Sequence, residues 1–305
     1  MSIKQISQLV EEFAHRKPVR TGSLIISVFG DAVSQHGSAV WLGSLIKILE
    51  PFGLNQRQIR TAVFRLVQQD WLVARQVGRR SYYSFTEAGQ RHYEKAARRI
   101  YYANRQPWDR KWTLVLPGLC DNREKEILRR ELSWLGYGGL TPGMLGHPSA
   151  DRQSLDETLL ELKLTDKVVV LIANTEDLAS RAVLRKLCHD CWSLTGIEKR
   201  YNHFIRRFSS IHGAVKRAKK RDAEQCFQVR TLLIHEYRRI QLQDSDLPEE
   251  LLPPNWPGAS AYNLTKNIYR AVQKDSVDYL IKNMETIEGS LSGPARGFYS
   301  RFNGD

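Results

Sequence analysis

Cysteine is scarce in this sequence: Cys120, Cys188, Cys191 and Cys226 are the four in 305 residues, and they form no repeated pairs. That argues against a disulfide framework and fits a reducing compartment. Long apolar runs are also missing, none approaching the ~18 residues that suggest a membrane span. The opening MSIKQISQLVEEFAHRK lacks the apolar core of a secretory signal. The expectation is a cytoplasmic protein with no membrane partner. The GxSxG, Walker and dinucleotide-binding glycine signatures are absent, as is any internal repeat. Acidic residues are outnumbered, 33 against 46 lysines and arginines, leaving a formal charge of +13. Such a surplus concentrates polyanions around a molecule, and nucleic acid is the first partner to test. The length allows more than one hydrophobic core, so two or three domains are expected.

The stretch from Ile59 to Phe85, IRTAVFRLVQQDWLVARQVGRRSYYSF, sets two unlike patterns side by side. From Asn55, the residues Ile59, Val63, Leu66 and Val67 recur at helical spacing, and Asn55 before Gln58 has the form of a capping box. The opposite face presents Arg57, Thr61, Arg65 and Gln68, flanked by Arg60. Arginine can donate two hydrogen bonds to guanine and glutamine can pair with adenine, so such a face suits a major groove. Upstream, AVWLGSLIKILEPFG has helical spacing through Trp41, Leu45, Ile48 and Leu49. Downstream, WLVARQV and SYYSFT read as strands joined by Gly78, Arg79 and Arg80. Helix, turn, helix and a basic hairpin compose a winged helix-turn-helix, with base readout on the helix and phosphate contact from Arg79 and Arg80. A solvated basic face or a protein-interaction module is the alternative.

Thr86 begins a basic helix that Pro107 should interrupt, placing a boundary near Asn104 to Asp109. The strand KWTLVLPGL, the capped helix DNREKEILRRELSWLGYGGL, a strand around Tyr137 to Thr141, a loop TPGMLGHPSADRQ, the helix LDETLLELKL, a buried strand KVVVLIANT and the helix EDLASRAVLRKLCHDCW follow. They make an α/β unit of the split βαβ kind. From Glu198 the pattern is mostly helical, with Leu232, Leu233, Tyr237 and Ile240 on a buried face. The tail GSLSGPARGFYSRFNGD shows no periodicity and reads as poorly ordered. The fold class is therefore α+β. The expected domains are a winged helix-turn-helix over 1–90, a linking helix over 91–108, a ferredoxin-like domain over 109–197 and a helical domain over 198–305, disordered from about 289.

Cys188 and Cys191 have metal-ligand spacing, but no second pair exists, and at helical spacing they suit core packing. KRAKKR, Lys216 to Arg221, reads as a solvated turn before it reads as a phosphate site. The first central strand carries no carboxylate to hold a catalytic cation, which argues against a metal-dependent nuclease. No enzyme activity, metal or cofactor is expected.

The stretches VFGDAVSQHGSAVWLGSLIKIL, IRTAVFRL, GRRSYYSFTEAG, CWSLTGIEKRYNHFI, LLIHEYRRI and LPEELLPPNW resemble, in order and over most of the chain, the PaaX family, repressors of phenylacetic acid degradation operons. The resemblance implies a bacterial repressor with a winged helix, a central domain similar to CRISPR-associated ferredoxin-like nucleases and a helical carboxy-terminal domain. It implies a homodimer on a dyad-symmetric double-stranded operator, released by phenylacetyl-CoA. Trp192 and Tyr201 are then candidates near the acyl group, Arg207, Arg238 and Arg239 for the phosphates, and His235 to orient the arginines. Packing or a dimer-interface network is the alternative for each. A nucleic-acid-binding scaffold without an effector is the alternative for the whole.

Overall fold

A computed structural model describes residues 3–302 apart from 17, 19, 38, 103–106 and 176–180. Helix α1 (Lys4–Ala14) buries Ile6, Leu9, Val10 and Phe13, one stripe at helical spacing. Helix α2 (Thr21–Val28) runs into a π-helical turn, Phe29–Val33, that carries Asp31 into the interior. After strand β1 (Val40–Trp41), helix α3 (Leu42–Leu49) ends in a 3-10 turn over Glu50–Phe52. Gly53, at φ +75°, then redirects the chain, and a Cβ there would lie 2.7 Å from that of Ala14. Conformation and space both require glycine. Trp41, expected on the helix, instead lies in β1, because Val40 and Trp41 pair with Tyr83 and Tyr82 of the hairpin.

Helix α4 (Gln56–Gln68) starts at the capping box: Asn55 and Gln58 exchange two side-chain to backbone hydrogen bonds of 2.9 Å. Strands β2 (Leu72–Val77) and β3 (Arg80–Phe85) form an antiparallel hairpin whose two-residue loop begins with Gly78 at φ +59°. Positive φ at that first loop position is what a II′ hairpin needs. Helix α5 (Glu87–Tyr101) begins where the Thr86 hydroxyl accepts from the Gly89 N–H at 2.8 Å.

The next elements are β4 (Lys111–Leu116), α6 (Asn122–Trp134), β5 (Gly138–Thr141), β6 (Met144–His147), α7 (Arg152–Glu161) and β7 (Val169–Asn174). Their sheet order is β5-β6-β4-β7 with all pairs antiparallel, the ferredoxin-like arrangement. Two expectations are corrected here. The segment TPGMLGHPSADRQ is not all loop: Gly143 at φ +86° turns it back, and β6 pairs with both β5 and β4. The strand expected to be buried, β7, is an edge strand with Val169, Leu171 and Ile172 about half exposed. Its apolar run resembles that of a central strand, but β4, between β6 and β7, takes the central place. Val115 on β4 packs with Leu128, Leu132, Leu155 and Leu159. Trp112 packs instead with Leu194, Leu247, Leu251, Leu252 and Cys188 of helix α8 (Arg181–Cys191).

Helices α9 (Leu194–Arg217), α10 (Ala223–Gln241) and α11 (Gly258–Asn283) supply the helical remainder. Strands β8 (Glu285–Thr286) and β9 (Gly289–Ser290) follow, and β8 pairs with β1, extending the hairpin into a five-stranded sheet ordered β2-β3-β1-β8-β9. The tail expected to be disordered from about 289 is therefore a correction. It is ordered to residue 302, with Phe298 and Phe302 fully buried. The chain divides into two compact units: Met1–Ala103 with Phe204–Arg238 and Ser260–Asp305, and Asn104–His203 with Arg239–Ala259. The division separates residues that were expected to share a domain over 198–305. Of the expected boundary near Asn104 to Asp109, residues 104–106 lie outside the described residues.

Candidate nucleic-acid interface

Helix α4 turns Ile59, Ala62, Val63 and Leu66 inward, each under a tenth exposed. That inner stripe fixes the helix's rotation, and Arg57, Arg60, Thr61, Arg65 and Gln68 are consequently exposed. After α4 the Trp71 N–H donates to the Leu66 carbonyl and the Thr86 N–H to the Trp71 carbonyl, binding helix end, hairpin and α5 together. The hairpin tip carries Arg79, exposed, and β2 adds an exposed Arg75 that sequence reading passed over. Arg75 was hidden because strand alternation alone does not say which strand is the edge.

Arg80 differs from Arg79. Its guanidinium lies 2.6 Å from a Glu285 carboxylate oxygen and 4.4 Å from the Trp41 ring centroid. It is half exposed, so the ion pair is screened and holds the loop end of the hairpin to β8 only modestly.

The compact unit that carries α4 and the hairpin also holds a buried ionic cluster. The Asp31 carboxylate accepts from Arg230 Nε at 2.8 Å, Arg301 at 3.0 Å, the Tyr101 hydroxyl at 2.6 Å and the Tyr269 hydroxyl at 3.0 Å. Both arginines also donate to the Asp31 backbone carbonyl. Two guanidiniums face one carboxylate, and the surplus positive charge lies against aromatic faces: Arg301 over Tyr101 at 4.2 Å, Arg230 over Phe298 at 4.9 Å. Burial pushes the Tyr101 hydroxyl well above its ordinary range, so it stays a protonated donor.

The six residues considered for a ligand fall in different units. Trp192, Tyr201 and Arg239 belong to the unit with the ferredoxin-like sheet, and Arg207, His235 and Arg238 to the other. Trp192 donates to the Gly136 carbonyl at 2.7 Å, and the buried Tyr201 hydroxyl donates a hydrogen bond to the Asp244 carboxylate. Arg207 pairs with Glu12 at 2.9 Å and faces Glu236 at 3.6 Å. His235 lies 3.0 Å from the Ser27 hydroxyl and edge-on to Phe13, and Arg238 is buried while Arg239 is exposed. Cys188 is fully buried, and burial pushes its thiol up to about 12. Among the described residues no group of three or more His, Cys, Asp or Glu side chains is placed to hold a metal ion. Nor, among them, is any helix long and apolar enough to cross a membrane.

A helix–turn–helix and hairpin with outward cations, carried in one chain with a ferredoxin-like sheet and long helices, defines a class of multi-part α+β proteins. Within it the chain belongs to the PaaX family. Family models match in three consecutive pieces, the PaaX-like protein over 20–89, the PaaX protein central Cas2-like domain over 105–184 and the PaaX-like protein C-terminal domain over 192–282. The transcriptional repressor PaaX of Escherichia coli (strain K12), a non-enzymatic regulator, is 36% identical over 303 residues, covering 99% of this chain and 96% of that protein. A solved structure, the uncharacterized protein Rv0674 from Mycobacterium tuberculosis, shares the fold with a TM-score of 0.53 and 22% identity over 83% of this chain and 95% of that one.

Proposed function

We propose that the protein is a non-enzymatic transcriptional repressor of a phenylacetate catabolic operon. It binds double-stranded operator DNA as a homodimer through a winged helix-turn-helix, and phenylacetyl-CoA releases it. One observation carries the DNA reading: a capped helix whose inner stripe is buried presents Arg57, Arg60, Thr61, Arg65 and Gln68 outward, beside a hairpin tip bearing Arg79. Base edges are read by the helix and the phosphates are held by the hairpin. The homodimer and the effector are supported by membership of the family and by the relative's role as a repressor.

The test is a binding titration of full-length protein on a duplex it enriches from a randomised library, against a scrambled duplex. Arg57→Ala or Arg65→Ala should lose ~1–3 kcal/mol on the enriched duplex and much less on the scrambled one. Arg79→Ala should weaken both alike and reduce the salt slope by roughly one per protomer. Equal losses on both duplexes for Arg57→Ala and Arg65→Ala would place base readout elsewhere. Phenylacetyl-CoA, free phenylacetate and coenzyme A, added separately, test the effector, and release by the thioester alone is the expected result.

A further inference from the structure

Phe64 is the anomaly on α4. It is 63% exposed, while every other apolar residue from Ile59 to Val67 is at least partly turned inward. A helix advances about 100° per residue, which puts Phe64 about 20° around the axis from Arg57 and about 40° from both Arg60 and Gln68. The ring therefore stands in the middle of the polar and cationic face rather than at the border of the buried stripe. It does not complete the core, because Ile59, Ala62, Val63 and Leu66 already fill that side.

Covering a fully exposed phenyl ring is worth ~1.5–3 kcal/mol, and at 63% exposure Phe64 would recover a large part of that from an occupant that covers the centre of the cationic face. The ring's neighbours select that occupant: arginines at either side favour a polyanion, and glutamine and threonine suit base edges. Among the groups a duplex presents in its major groove, only the thymine C5-methyl is apolar. The geometry points to Phe64 as a sequence-reading residue that packs against a thymine methyl, with Arg57, Arg60 and Gln68 fixing the register around it. This rests on the DNA-binding reading above and adds a base identity to it. Arginine and glutamine read hydrogen-bonding edges and are indifferent to the thymine methyl, whereas an apolar ring at the centre of the face reads that methyl itself.

The experiment replaces each thymine of the enriched duplex by deoxyuridine, one at a time and at fixed salt, removing a methyl group and leaving the pairing edge unchanged. Affinity of the unaltered protein should fall about fourfold at one thymine position per half-site, the worth of one buried methyl. Phe64→Ala should bind the thymine and uracil duplexes equally at that position, while Phe64→Leu keeps part of the preference. Because Phe64 is exposed, circular dichroism and melting of both variants should match the unaltered protein. A uracil penalty that persists undiminished in Phe64→Ala, or no penalty at any thymine in the unaltered protein, overturns the assignment while leaving the DNA reading in place. Loss of the dimer in sedimentation of Phe64→Ala with the penalty retained would also overturn it, giving the ring to a second copy of the chain. Failure of the unaltered protein to prefer the enriched duplex over the scrambled one would instead sink the DNA reading itself.

Discussion

Asp31 is 3% exposed and faces two guanidiniums that are 1% and 6% exposed. Removing the carboxylate would leave two buried positive charges against neutral groups: aromatic faces, backbone carbonyls and the Ser276 and Tyr269 hydroxyls. Uncompensated buried charge is expensive, so Asp31→Ala should cost ~3–5 kcal/mol in denaturant-induced unfolding. Tyr101→Phe, which removes one donor and leaves the charges paired, should cost only ~1 kcal/mol. A loss for Asp31→Ala no greater than that for Tyr101→Phe would show that the cluster is not the anchor its geometry suggests. None of this was legible in the sequence. The partners of Asp31 lie 199 and 270 residues along the chain, and no local pattern distinguishes an aspartate destined for two distant arginines from a turn residue. By contrast Asn55 and Gln58 were legible, because a capping box is complete within four residues.

At the scale of elements the same rule separates what could be read from what could not. The inner face of α4 and the buried face of α10 follow from 3.6-residue periodicity, as does the hairpin from its glycine between two β-rich runs. Strand β6 is four residues long and contains glycine, and its identity comes from pairing with β4, some thirty residues earlier. The segment after β9 has no periodicity at all, yet it is fixed by single anchors. The Ala295 N–H donates to the Gln35 carbonyl, the His36 ring to the Ser292 carbonyl and the Phe302 N–H to the Tyr101 carbonyl, while Phe298 is fully buried. Phe298→Ala should therefore cost ~3–5 kcal/mol, the usual range for a buried ring, where a disordered tail would show no change in melting. His36 adds a pH signature. Burial lowers its pKa, the hydrogen bond to Ser292 opposes that, and Arg230 adds repulsion. The folded state thus resists protonation, so the His36 contribution is intact above the unfolded value of about 6.5 and is lost as pH falls below it. Melting temperature should drop between pH 7 and pH 5 more steeply in the unaltered protein than in His36→Gln.

For the molecule as a whole, the proposed repression and release would form one linked equilibrium. A ligand frees DNA only if it binds the DNA-incompetent state more tightly, and the coupling is reciprocal. If phenylacetyl-CoA weakens operator binding by a given factor, saturating operator must weaken phenylacetyl-CoA binding by that same factor. In the proposed homodimer, two half-sites engaged together would act at a high effective concentration, and loosening both together would make release steep. Calorimetry of phenylacetyl-CoA binding, with and without one equivalent of enriched duplex per dimer, should therefore give an affinity ratio equal to the ratio of operator affinities measured with and without the thioester. Arg239 is exposed while Arg238 is buried beside Ser27, 3.5 Å from its hydroxyl. Of the two, Arg239→Ala is the cleaner probe of phosphate recognition, and it should raise the thioester concentration needed for release while leaving operator affinity and melting unchanged. Unchanged thioester affinity in that variant would remove Arg239 from the effector site, and unequal ratios would show that the thioester acts on DNA binding by competition or aggregation rather than through a conformational equilibrium.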